Sequence, residues 1–210
     1  MAFFAAAVVT IFGVVDPIGI APLFIALTAN LNSKERLRVI HRATIVASII
    51  LLAFAAVGRA VLDSLGITVP AFSIAGGILL LLISIDMLFG RLSRTRETNE
   101  EARDAQNSAD VSVFPLAIPI LAGPGAIATE VLYMSQAGTD VVKILSVLAA
   151  IAIAVVASYL SMRLSGLLLR LLGRTGVFVI GRVIGILLAA LAIQFVLNGV
   201  AGYYHHNLVP

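Results

Sequence analysis

The segment Val15-Asp16-Pro17-Ile18-Gly19-Ile20-Ala21-Pro22 lies inside a long apolar run, and Gly123-Pro124-Gly125-Ala126-Ile127-Ala128-Thr129 lies inside another. Both set proline and glycine where a helix needs a backbone donor and a restricted φ. Proline removes the N–H and clashes with the preceding turn. Glycine admits backbone conformations that other residues avoid. Each segment therefore predicts a break in an otherwise continuous helix.

What surrounds the breaks is apolar. Runs of this kind cover about 2–29, 40–62, 70–90, 113–136, 142–165 and 176–203. The chain is 60% hydrophobic and 12% charged, with a mean hydropathy of +1.09. Ordinary soluble domains are ~45–50% apolar and ~25% charged. A span needs ~20 apolar residues, which each run supplies. The expected fold is an all-α membrane protein of six transmembrane helices, with the first and fourth broken. The opening MAFFAAAVVTIFGVV lacks a basic n-region and runs straight into Asp16-Pro17, so it reads as mature helix rather than a signal peptide.

Charge sets the orientation. If every run crosses, one side receives Lys34, Arg36, Arg38, Arg42, Arg91, Arg94, Arg96, Arg103, Arg163, Arg170 and Arg174. The other side receives Arg59 and Lys143. The positive-inside rule makes the first side cytoplasmic, with both termini outside a plasma membrane and the polar stretch 93–112 inside. A rival arrangement, with runs one and four as re-entrant hairpins, moves Arg163, Arg170 and Arg174 outside; the charges disfavour it.

The chain also repeats itself. Pro17-Ile18-Gly19-Ile20-Ala21 aligns with Pro124-Gly125-Ala126-Ile127-Ala128, and Gly77, Asp86 and Gly90 align with Gly185, Gln194 and Asn198. Three spans per half is an odd number, so the halves, 1–92 and 113–210, are inverted relative to each other. Inverted repeats with a broken helix in each half are the pattern of secondary transporters.

Depth follows from the rise of a helix. Asp16 lies about 21 Å and Gly123 about 15 Å into their runs, against a core of ~30 Å. Both breaks therefore sit near mid-membrane, where free backbone groups are tolerated only in protein or beside a wet cavity. Each leaves a half-helix N-terminus, near Ile18–Ala21 and Gly125–Ala128, whose N–H groups and dipole suit a carboxylate. Asp16 offers the opposite charge to an ammonium, a proton or Na⁺. The candidate binding residues are Asp16, Pro17, Ile18, Gly19, Ile20, Ala21, Gly123, Pro124, Gly125, Ala126, Ile127 and Thr129, with Asp16 the ion-coupling candidate. Small residues throughout favour a small amino acid.

Blander readings stand beside these. Asp16 also suits a helix cap, Gly123 and Gly125 close packing, and Thr129 equally a back-bonding hydroxyl. Pro17 and Pro124 are read as architectural. Asp86 and Arg182 are expected to pair, Glu130 to sit at the outer interface or a vestibule, and His41 to be solvated. His205 and His206 are read as inert. Gln194 and Asn198 either bond across helices or line an outer vestibule. The chain has no cysteine, no Ser/His/Asp set, no metal-ligand cluster and no phosphate loop, so neither an enzyme nor a cofactor or metal is expected. The basic residues fall at span ends, which excludes a nucleic-acid patch.

Val15–Phe24 and Phe114–Thr129 resemble the two signature segments of the MarC family of integral membrane proteins, which includes the SnatA-type small neutral amino acid transporters. Arg182–Leu187 and Ala192–Phe195 resemble the last helix of that family. The resemblance covers all six spans. It implies six transmembrane helices and transport of glycine, alanine and similar amino acids, driven by an ion gradient such as H⁺ or Na⁺. Homo-oligomers are compatible with it. Two positions depart from the family: Asp16, where many members carry Asn, and Glu130, where an apolar residue is more usual. A channel or exporter for an ion or another small solute is the alternative function.

Overall fold

The structure, a computed structural model, describes residues 1–89 and 112–208. The cytoplasmic stretch read over 93–112 lies outside the described residues except for Ser112, which is helical. Every element among the described residues is a helix: α1 (Ala2–Val15), α2 (Ile20–Leu27), α3 (Ser33–Ser64), α4 (Val69–Phe89), α5 (Ser112–Leu121), α6 (Pro124–Ala137), α7 (Val141–Arg163) and α8 (Ser165–Leu208). Gly173, at φ 63°, breaks α8 near its start.

Five stretches among the described residues are long and apolar enough to cross a membrane: Ala2–Ile25, Ser33–Ser64, Val69–Phe89, Val141–Arg163 and Thr175–Tyr204. The run read as the fourth crossing is shared between α5, of 10 residues, and α6, of 14, and neither spans alone. Large apolar side chains cover the outside, among them Ile49 of α3, Val156 of α7 and Ile186 of α8. Lipid in place of water makes that surface stable.

Caps fix where the helices begin. Asn32 accepts from the N–H groups of Lys34 and Glu35 while Glu35 accepts from that of Asn32, a reciprocal capping box for α3. Asp140 caps α7 through the N–H groups of Val142 and Lys143. Arg36 donates to the carbonyls of Thr28, Leu31 and Ala29, satisfying the orphan end of α2.

The packing interleaves early and late elements. The closest seam joins α4 to α8 through glycines. A Cβ on Gly77 would lie 2.8 Å from the Ala192 carbonyl oxygen and from Val196; one on Gly185 would lie 3.2 Å from the Ser84 carbonyl oxygen and 3.4 Å from Leu88. At Gly199 a Cβ would meet the Pro70 carbonyl oxygen at 2.7 Å. Elsewhere α1 packs on α7, and α3 on both α5 and α6.

Contacts also sort the helix ends into two layers. Lys143 lies over the Phe3 ring, at 5.8 Å, and a Cβ on Gly138 would lie 3.6 Å from the Arg59 guanidinium. In the other layer His41 stacks on Tyr159 at 5.6 Å and bonds its hydroxyl at 3.1 Å. His41 is thus partnered across to α7, not merely solvated. The ion pairs seen among the described residues do not include Asp86 with Arg182; the helices approach at Gly185, and Arg182 is exposed. Gln194 and Asn198 bond each other along α8 at 2.8 Å.

Candidate functional site

Both breaks form where proline and glycine place them, by different local chemistry. At the first, α1 ends at Val15 and Asp16 adopts the left-handed conformation, φ 51° and ψ 63°. Aspartate tolerates that region better than most non-glycine residues, because its short polar side chain bonds locally. Here Oδ1 accepts from the Gly19 N–H at 3.1 Å. The Ile20 N–H goes to the Asp16 carbonyl and the Ala21 N–H to that of Ile18. The N-terminal amides of α2 are therefore occupied, which corrects the expectation of free N–H groups near Ile18–Ala21. A side chain at Gly19 would collide with the Asp16 carboxylate.

At the second break the amides are free. Gly123 is extended, φ −79° and ψ 166°, and Pro124 opens α6. Proline at this position forfeits only a donor that no helix uses. Gly123 has no side chain to cap with, so the N–H groups of Gly125 and Ala126 have no partner among the described residues. Pro119 does not interrupt the helix. α5 winds through it as a π-helix, and the Ala122 N–H reaches the Ala117 carbonyl, five residues back, at 2.9 Å. Pro115 and Pro119 supply no N–H, so the four-residue ladder cannot form there and the wider winding takes over.

A cavity of about 180 Å³ opens at this second break. Its wall is Val14 from α1, Leu79 and Ile83 from α4, Ile120 from α5, and Gly123, Pro124, Gly125 and Ala126. A Cβ on Gly125 would collide with Ile83 and lie 3.2 Å from Val14, so the missing side chain is what leaves the space. Of the residues proposed from sequence, Gly123–Ala126 line the cavity. Asp16, Ile18 and Gly19 are half-buried, and Pro17, Ile20 and Ala21 buried, in the other break. Thr129 is buried on α6 and Ile127 half-buried. The two breaks adjoin through Val14, two residues before Asp16.

Sequence reasoning missed Leu79 and Ile83, which look like any lipid-facing residues. It also misplaced Glu130. That side chain is 1% exposed, and neither carboxyl oxygen has a hydrogen-bond partner. One turn further, the Tyr133 hydroxyl bonds Thr10 of α1 at 3.0 Å and its ring meets Phe3 and Phe195 edge-on. No cluster of His, Cys, Asp or Glu able to hold a metal occurs among the described residues.

The left-handed turn makes a prediction. Asp16→Asn should keep the fold, because asparagine visits the same conformation and accepts the same bond. Asp16→Val should lower stability by about 1–2 kcal/mol for the conformation and about 1 kcal/mol for the lost cap, measured by thermal unfolding in detergent.

An apolar exterior, several spans and a mid-chain break over a small cavity define an integral, multi-span, all-helical membrane protein. Residues 1–204 match the family described as MarC family integral membrane protein. The chain belongs to that family. It is 39% identical over 205 residues to a UPF0056 membrane protein of Archaeoglobus fulgidus, covering 96% of this chain and 93% of the relative. It is 38% identical over 200 residues to another from Methanocaldococcus jannaschii (95% and 97% covered), and 32% identical over 194 residues to YhcE of Escherichia coli (92% and 90% covered). No solved structure matches.

Proposed function

We propose that this chain is a secondary transporter of small neutral amino acids, of the size of glycine and alanine, driven by an ion gradient. It crosses the plasma membrane six times as two inverted three-helix repeats, with both termini outside. The observation that carries the reading is the cavity at the Gly123 break. The cavity lies where α5 ends at Leu121 and α6 opens at Pro124, so a helix C-terminus and the N–H groups of Gly125 and Ala126 adjoin one space. Opposite helix ends facing one space suit a zwitterion: ammonium to the carbonyls, carboxylate to the amides. Val14, Leu79 and Ile83 make the wall apolar, which suits a substrate without a charged side chain.

The repeat is supported by the α4–α8 seam. Gly77 meets Ala192 and Val196, and Gly185 meets Ser84 and Leu88. The pairs Gly77/Gly185, Ser84/Ala192 and Leu88/Val196 are each 108 residues apart, so exchanging the halves turns one contact into the other. The six-crossing topology is supported by the layers. Phe3, Arg59, Gly138 and Lys143, all assigned outside by charge, gather at one end, while His41 and Tyr159, assigned inside, meet at the other.

Uptake into proteoliposomes tests the reading. Labelled glycine or alanine should accumulate saturably under a pH or Na⁺ gradient, and each should compete with the other. No saturable flux under any gradient rejects the substrate class. Unitary current steps without competition would favour a channel.

A further inference from the structure

Glu130 is the buried ionisable group that the cavity does not use. Its oxygens are sealed from solvent, and neither has a hydrogen-bond partner among the described residues. A carboxylate charge in an apolar interior is not held without a compensating charge or hydrogen bonds. A metal cation needs several ligands, and no cluster of His, Cys, Asp or Glu able to hold one occurs among the described residues. A proton needs no further ligand.

Position links this group to the cavity. Glu130 follows Ala126 by four residues, so the two share a face of α6, about 6 Å apart along the axis. A substrate carboxylate on the Gly125 and Ala126 amides would stand about one turn from Glu130. Two negative charges so close repel, which ties protonation of one to binding of the other. The surrounding helices bring no charge that relieves this. α1 carries no ionisable side chain before Asp16 and presents Thr10 and Phe3 at this level. α4 has Asp86 at its far end. α3 has Arg59 and Asp63 toward one end, exposed and paired with each other at 4.0 Å, and Lys34, Glu35, Arg36, Arg38, His41 and Arg42 toward the other. α7 places Asp140 and Lys143 at one end, and Tyr159 and Arg163 at the other. On α6 the only other ionisable group is Tyr133, bonded to Thr10.

We propose that Glu130 is the proton-carrying site of the protein: it takes up a proton from the side to which the cavity opens and releases it with the substrate on the other. The coupling half of this rests on the transporter reading; proton binding does not.

Infrared difference spectra of the full chain in lipid bilayers, taken across a pH step, test the binding half. A protonated-carboxyl C=O band that responds to pH and shifts in D₂O is expected in the parent, lost in Glu130→Gln and retained in Glu130→Asp and Asp16→Asn. Persistence of the band in Glu130→Gln, or a Glu130 band that never responds to pH, overturns the proposal. In proteoliposomes, alanine accumulation driven by a pH gradient should fall roughly tenfold or more in Glu130→Gln and recover in Glu130→Asp. Undiminished accumulation in Glu130→Gln, with the variant melting like the parent, overturns the coupling half. If the parent exchanges no small neutral amino acid, the transporter reading fails with the coupling half, while the spectra still decide whether Glu130 binds the proton.

Discussion

Gly77→Val is expected to disrupt the seam between the two halves strongly, lowering stability by about 2–3 kcal/mol. The first added atom would already lie 2.8 Å from the Ala192 carbonyl oxygen and 3.1 Å from the Val196 backbone N. Those are backbone atoms of a packed helix and cannot swing aside as a side-chain tip can. α4 and α8 must then separate along the contact, and the loss spreads to Gly185 and Gly199. Thermal unfolding in detergent measures it. Gly185→Val should cost less, because its nearest neighbours stand at 3.1–3.4 Å. Gly166→Ala, with nothing within 4 Å, should leave the melting temperature unchanged. Equal effects at Gly77 and Gly166 would mean that the seam does not hold the halves together.

Gly125→Val should have the largest effect on function. It inserts a branched side chain where Ile83 and Val14 close on the cavity. With the pocket filled, substrate affinity should fall about 100-fold, roughly 2.7 kcal/mol. Saturable uptake of alanine in proteoliposomes then drops below detection. Gly125→Ala should be partial, and truncating the facing wall should relieve it. In the double variant Gly125→Ala/Ile83→Ala, uptake should exceed that of Gly125→Ala alone. Simple additivity of the two changes would show that they do not share one space.

The breaks were legible because proline and glycine act locally. Asp16-Pro17 and Gly123-Pro124 dictate backbone geometry whatever packs around them, so sequence located both. The wall of the cavity was not legible. Leu79 and Ile83 sit on a helix that is apolar all round, and in a membrane such a helix gives no sign of which face meets protein. Glu130 escaped for a related reason. Its depth followed from counting residues, but its burial depends on the direction in which α6 presents that face. Pro119 shows that a proline in an apolar run need not break it: the chain accommodates the missing donor by widening the winding. His41 was read as solvated, because its stack on Tyr159 depends on a residue 118 positions away. For Asp16 the sequence left a charge and a cap open; the αL turn makes the cap, with Oδ1 accepting from the Gly19 N–H and the carbonyl from the Ile20 N–H.

The glycine seam bears on how the protein is made. α4 leaves the ribosome long before α8, and its small-residue stripe has no partner until the last span is inserted. During that interval lipid must cover a groove shaped to receive another backbone. Insertion of the first three apolar runs and final assembly are therefore separate events, divided by the synthesis of more than half the chain. A nascent protein stalled before α8 would be fully in the bilayer yet still open along one side, where membrane quality control can recognise it.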